Sequence, residues 1–192
     1  MIVRSKTHRR DMVALQNYTN FATHVGMGRN SKGHMPHAIR RFQESVKNMP
    51  DIVLQMVEVA TDYGLVPFYV TDDGGDYEEV EEAWKNRNPI PIWTGASEGT
   101  IWGSEIANWF FRTWHDSIHC KESCGFGLEG EIEAAVHHMK QATAKGYHHL
   151  AAVCWVEIVG QATVFHKTGD FPPQSFTRDT LNDMGLNEVG AM

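Results

Sequence analysis

From about residue 97 to residue 168 the chain is cut into three helix-length segments, by Gly125 and Gly127 at one junction and Gly146 at the next, with Gly169 and Pro172-Pro173 ending the last. Glycine tolerates the left-handed conformation that closes a helix, and proline cannot continue the hydrogen-bond ladder, so this punctuation reads as stop signals. The first segment, from residue 97 or 100 to 119, is apolar nearly all round, with Ile106, Trp109, Phe110, Phe111, Trp114 and Ile118 on its faces. Such a helix is stable in water only when other elements enclose it. The second and third segments, 128–144 and 147–168, are its natural neighbours. The pattern therefore predicts a helical bundle built around the first.

Upstream, Pro50 and Asp51 open another helix, with Asp51 as candidate N-cap and Gly64 as its stop, and Ile52, Val53, Met56, Val57 and Ala60 form an i, i+3, i+4 stripe. Residues 37–47 read as a further helix, with Ile39, Phe42 and Val46 on one side. A short extended or β run is expected near 66–71, a turn at Gly74-Gly75, and an exposed acidic helix at 77–85 with Val80 and Trp84 on one face. Residues 88–95 cannot be helical at Pro89 and Pro91. Ile90, Ile92 and Trp93 are too apolar for a solvated tether, so a loop packed on the core is expected there. Residues 1–35 read as an irregular N-terminal segment, and 174–192 as a tail with one short helix near 176–184. The 192 residues contain no internal repeat, and one mainly α-helical domain over 1–192 is the expectation.

Composition removes several classes of function. The apolar runs fall well short of the roughly 18 residues a membrane span needs. The N-terminus carries charge with no apolar stretch behind it, so no secretory signal is expected. Three cysteines give no disulfide framework, which points to a reduced cytoplasmic setting. Cys120 and Cys124 follow His119, but one such pair is weak as a zinc signature, and small apolar residues or free thiols are the simpler reading. A net charge of −7 argues against general nucleic-acid binding, which requires excess Lys and Arg. It leaves room for a small anionic substrate if a metal supplies the positive charge, and leaves oligomerisation open.

Chemistry concentrates on the first segment. Glu105, Asn108, Arg112, His115 and His119 recur at steps of three or four and share one face, with Asp116 at its edge. A solvated face would show Lys and Glu rather than two His, an Arg and an Asn. In the third segment Glu157 and Gln161 interrupt the stripe formed by Leu150, Cys154, Val164 and Phe165. Burying an unpaired carboxylate costs several kcal/mol, so partners are expected. His115, His119 and Glu157 are therefore expected to hold a divalent ion, with Asp116 as ligand or base and Glu157 as ligand or base. Arg112 is the expected anion clamp, while Gln161 and Asn108 orient a carboxylate or bind substrate. The competing reading is a buried hydrogen-bonded seam in which Glu157 neutralises Arg112. On the second segment Glu129, Glu133 and His137 lie at four-residue steps, with Glu131 and His138 beside them, as extra ligands or as a solvated acidic face. No phosphate-binding loop, dinucleotide-binding glycine motif or nucleophile elbow is present.

His115 and His119, at i and i+4, are similar to the two histidines of the zinc helix His-Glu-x-x-His, but Asp116 stands where that helix carries its catalytic glutamate. The pair His115-Asp116, followed by His119, resembles the metal-binding doublet of HD-domain phosphohydrolases. That resemblance implies an upstream histidine, for which His34 and His37 are candidates, and a downstream aspartate, for which Asp170 is. Pro91-Ile92-Trp93-Thr94-Gly95-Ala96, Phe111-Arg112-Thr113-Trp114-His115-Asp116 with His119, Glu129-Gly130-Glu131, Glu157-Ile158-Val159-Gly160-Gln161 and Gly169-Asp170-Phe171-Pro172 together resemble a set of uncharacterised tailed-phage proteins. This covers roughly the second half of the chain and implies a viral or prophage origin, hence the host cytoplasm, with no activity attached. The expected function is a metal-dependent hydrolase acting on a small anionic substrate, a nucleotide or phosphoester, with zinc, manganese, magnesium or iron. Its alternatives are a non-haem iron oxidoreductase and a non-enzymatic phage accessory binding protein whose seam is a buried polar network.

Overall fold

The computed structural model describes residues 50–73 and 75–186. The expected segments at 1–35 and 37–47, the residue Gly74 of the turn, and the last residues of the tail lie outside the described residues. In chain order the elements are α1 (Asp51–Tyr63), β1 (Phe68–Thr71), α2 (Tyr77–Lys85), β2 (Ile90–Trp93), α3 (Glu105–Glu122), α4 (Leu128–Ala144), α5 (His148–Trp155), a π-helical segment (Val156–Gly160), α6 (Gln161–Thr168) and α7 (Phe176–Asp183). The fold is mainly α-helical, as the periodicity predicts. Among the described residues no helix is long and apolar enough to cross a membrane.

The centre of the core is α3, whose Trp114 and Ile118 are wholly buried beside Phe110, Phe111 and Trp109. Helices α1 and α4 pack against it, and α5 packs along α4. Of the stripe read on α1, Val53, Met56, Val57 and Ala60 are buried and Ile52 is half-buried. Asp51 is the first helical residue, while Pro50 takes the cap position without a side-chain hydrogen bond. Proline's fixed φ suits that helix entry. Helix α3 starts later than its pattern suggests, at Glu105, where the hydroxyl of Ser104 accepts from the Ala107 N–H. The preceding loop bends through positive φ at Ala96, Gly99 and Gly103, which a helix could not follow.

Residues 88–95 depart from the expected loop. Ile90–Trp93 is a strand that pairs in parallel with β1, Phe68 opposite Ile90 and Tyr69 opposite Pro91. Ile90 N–H donates to Pro67 C=O at 2.8 Å and Thr94 N–H donates to Thr71 C=O at 2.9 Å. Pro91 therefore has the opposite parity in the pleat, where an N–H would point away from β1. Its missing donor costs the ladder nothing on this edge. A proline run thus reads as a strand once its parity is known.

The third long helix also departs from a regular α-helix. It is continuous from His148 to Thr168 but takes a π turn at Val156–Gly160. A π turn inserts one residue and rotates everything downstream by about 100°. Leu150, Cys154 and Glu157 are buried as the stripe predicts, but Val164 is only half-buried and Phe165 is exposed. Phe165 instead stacks on Phe171 at 4.5 Å between ring centroids. Gly160 closes this turn and admits α7. A Cβ there would lie 2.8 Å from the Phe176 ring.

Candidate metal centre

Helix α3 carries His115 and His119 on consecutive turns, and α4 brings Glu131 across to them. His115 Nε2 lies 3.0 Å from His119 Nε2, and Glu131 Oε2 lies 3.2 Å from the first and 3.6 Å from the second. These three donors all fall within 4.8 Å of one another. Glu157, expected as the third member, is not in that group. The carboxylate facing the histidines comes from α4, in its first turn. An acidic side chain there is also favoured by the helix N-terminus.

The outer nitrogens of the two histidines are also engaged. His119 Nδ1 is 3.2 Å from the Cys124 carbonyl, so it donates, and Nε2 is the nitrogen turned towards His115 and Glu131. His115 Nδ1 is 3.3 Å from Nε2 of His138, a fully buried residue of α4. Metal-ligating histidines ordinarily hold their second nitrogen in this way, against a carbonyl or another polar group. The donor set, two imidazoles and a carboxylate with supported outer atoms, fits a divalent cation such as zinc or iron. His119 is buried, whereas His115 and Glu131 side chains keep 17% and 19% exposure, so the cluster is open on one side.

The electrostatics separate the carboxylates of the site. Burial would raise the Glu131 pKa, but the charge and hydrogen bonds of His115 and His119 outweigh it and hold it at about 2. Burial would lower the His115 pKa, but Glu131, and then Asp116 and Glu157, raise it overall. Asp116 and Glu157 are pushed up, each chiefly by burial. His138 is pushed well down by burial and by the neighbouring histidines, so it stays neutral.

These shifts carry a stability prediction for the metal-free protein. His115, raised above 6.5, contributes stability that is complete below 6.5 and lost as pH rises through its folded value. Glu131, lowered from 4.5, contributes stability that is present above 4.5 and lost as pH falls towards about 2. The pair therefore contributes most between pH 4.5 and 6.5. Thermal melts in chelator across this range should show wild type gaining over His115→Ala inside the window and converging with it at alkaline pH. A pH-independent difference would count against the ion pair.

The remaining expected site residues take other places. Arg112 Nη1 donates to the carbonyls of Trp93 and Gly95, both at 2.7 Å, Nη2 donates to Ala96 C=O at 3.2 Å, and the guanidinium lies 5.3 Å from the centre of the Trp93 ring. Arg112 thus anchors the loop after β2, where an anion clamp was expected. Asn108 is buried and its Nδ2 donates to Ser97 Oγ at 3.0 Å, holding the same loop. Glu157 accepts from the Thr177 hydroxyl of α7 and is hydrogen-bonded by Gln161, so Gln161 orients this carboxylate. The Glu157 charge is felt by Arg112 and His115. On α4, Glu129 and Glu133 are exposed, and His137 sits 3.9 Å from Glu122 at the surface. Asp170, the candidate downstream aspartate, is exposed in the turn after α6. Cys120, Cys124 and Cys154 are buried free thiols.

Of the two readings of Glu129, Glu133 and His137, the solvated acidic face is the one their exposure matches. Glu131 and His138, beside that face, point inward to His115. Their signal was present in the small residues, because Glu131, Ala135, His138 and Ala142 recur at steps of four, three and four, and the last three are fully buried. Alanine on a helix face marks close approach to a neighbour more reliably than charge marks a site.

Arg112→Ala gives a direct check on the loop. It removes three charge-assisted hydrogen bonds that are partly exposed to solvent. A loss of about 2 kcal/mol in urea denaturation is expected, with stoichiometric metal binding retained. Metal loss from a folded variant would instead tie Arg112 to the centre.

Comparison with protein-family models, with curated proteins and with solved structures finds no match for the chain.

Proposed function

We propose that the protein is a metal-dependent hydrolase whose centre is His115, His119 and Glu131. The observation that carries this reading is the convergence of those three donors within 4.8 Å at a half-buried position. A divalent cation held there supplies Lewis acidity, which polarises a scissile bond and activates water. Three protein donors leave a coordination position open, as in catalytic rather than structural sites.

The carboxylates around the centre divide the labour. Glu131 stays anionic well below neutrality and serves as ligand. Glu157 and Asp116 are shifted the other way, upward, each chiefly by burial. Environments that push neighbouring carboxyls apart are the arrangement that acid–base chemistry requires. Glu157, oriented by Gln161 and Thr177, is assigned as the general base, with Asp116 assisting at the α3 edge. A small anionic substrate, such as a phosphoester or nucleotide, remains the substrate class proposed. With Arg112 committed to loop carbonyls, the cation itself is the positive charge that receives it.

The test is metal analysis of the purified protein followed by hydrolysis of chromogenic phosphoesters with zinc, manganese, magnesium or iron. Glu157→Gln should lower turnover by roughly 10²–10⁴-fold, the range for a lost general base. Folding and metal content should survive, since glutamine keeps the volume and still accepts from Thr177. If the carboxylate instead serves only to balance Arg112, the variant should lose about 3–5 kcal/mol of stability.

A second reading follows from the donor set. Two histidines and one carboxylate also form the facial triad of non-haem iron oxygenases. Selective retention of iron(II) together with oxygen consumption would favour it over hydrolysis. A protein that binds no metal would point to an accessory binding protein with a buried polar network.

A further inference from the structure

His138 is wholly buried, and among the described residues it has a single hydrogen-bond contact. Its ring stands edge-on to Trp114 at 4.0 Å between centroids and tilted against Phe111 at 5.6 Å. Its Nε2 lies 3.3 Å from His115 Nδ1, while its Nδ1 is buried with no hydrogen-bond partner among the described residues. A leucine or phenylalanine would fill such a site at no desolvation cost, whereas an imidazole with one orphaned nitrogen is destabilising. The contact with His115 is what the side chain does there.

Geometry shows why that contact matters to the centre. The outer nitrogen of His119 faces a carbonyl, which only accepts, so a neutral His119 carries its proton on Nδ1 and offers Nε2 to a cation. Among the described residues the partner of His115 Nδ1 is not a carbonyl but His138 Nε2. Without an acceptor at its Nδ1, His115 would carry its proton on Nε2, directed at Glu131 Oε2 only 3.2 Å away, and that proton would occupy the position a cation needs. An imidazole nitrogen both accepts and donates, so His138 can take the hydrogen bond from His115 Nδ1–H.

We propose that His138 is a positioning residue of the metal centre: its Nε2 accepts from His115 Nδ1–H, holding the His115 ring and leaving His115 Nε2 bare for the cation. The inference rests on the reading of His115, His119 and Glu131 as a metal site. When the cation arrives, the proton of a neutral His115 shifts from Nε2 to Nδ1 as the His138 proton shifts from Nε2 to Nδ1, so both rings stay neutral. A His115 protonated on both nitrogens opposite Glu131 instead keeps Nδ1–H and releases its Nε2 proton to solvent. The buried Nδ1–H of His138 is the group left without a partner in that state. Trp114 and Phe111 then fix the His138 ring by packing alone.

The experiment is zinc titration at one fixed pH against a chromogenic chelator, using the full chain as wild type, His138→Phe and His138→Gln. Phenylalanine keeps the ring packing and removes the acceptor, and glutamine restores one. His138→Phe should bind zinc about 10–100-fold more weakly, the range for removing an outer-shell partner of a ligating histidine. Its metal-free melting temperature should equal or exceed that of wild type, because an unsatisfied polar group has been removed. His138→Gln should recover part of the affinity. A folded His138→Phe with wild-type zinc affinity overturns the inference while leaving the metal site standing, whereas a wild type that binds no zinc or iron overturns the site itself. Should His138→Phe fail to fold, ¹⁵N–¹H correlation of zinc-loaded wild type decides. His115 protonated at Nδ1 supports the role of His138, and His115 protonated at Nε2 overturns it.

Discussion

Replacing His119 with alanine should abolish stoichiometric metal binding while leaving the helices in place. His119 is the most deeply placed of the three donors, wholly shielded and pinned through Nδ1 to the Cys124 carbonyl. Structural zinc in four-ligand peptides is worth about 10–16 kcal/mol, or roughly 3 kcal/mol per ligand. Losing one of three ligands should therefore weaken binding by about two to three decades. Glu131→Gln should do the same by removing the anionic donor, although its amide preserves the volume. The contrast that matters is with Glu129→Gln and Glu133→Gln on the exposed side of α4, which should change affinity by less than a factor of about three. Isothermal titration with zinc, with circular dichroism to confirm helicity, reads all four. Equal losses for the exposed and the inward glutamates would dissolve the centre described above.

The second large effect is expected from steric overlap and not from charge. A Cβ on Gly130 would lie 1.7 Å from the carbonyl oxygen of Gly125 and 2.3 Å from its carbon. These are backbone atoms, and they cannot swing aside as a side chain can. Gly130→Ala should therefore force the turn between α3 and α4 away from α4, at a cost of about 3 kcal/mol or more in urea denaturation. That turn carries the Cys124 carbonyl that holds His119 and the Phe126 ring stacked on His119 at 4.4 Å. Zinc affinity should fall together with stability. Gly127→Ala is the control, since its Cβ meets nothing within 4 Å. Parity between the two variants would mean that the close approach at Gly130 is not what sets the turn.

Several elements were legible before any coordinates, because each rests on local chemistry. Gly64 ends α1, and the bounds of α4 follow from Gly127 in front and Gly146 behind. The burial of α3 follows from its being apolar on almost every face, and the i, i+4 spacing of His115 and His119 places their nitrogens together on any straight helix. The α5–α6 helix was legible in length but not in phase. A π turn at Val156–Gly160 leaves no trace in periodicity, yet it turns Phe165 out to solvent. The strand at Ile90–Trp93 was hidden by its own proline, because propensity does not reveal which pleat parity a proline occupies.

What the sequence by itself determined was the helical class of the fold and one half of the centre, the two histidines that a single helix brings together. Tertiary structure alone decided the other half. A carboxylate three turns away on the next helix and one from the helix after it are equivalent in a list of residues. Only the packing of α4 on α3, with Gly130 against the Gly125 backbone, brings Glu131 to 3.2 Å from His115. Packing of α7 on the π-helical segment leaves Glu157 bonded to Thr177 beside Gln161, and the packing of α4 on α3 seals His138 beneath His115. Residue type states what a side chain can bind, and the relative rotation of two helices states what it meets.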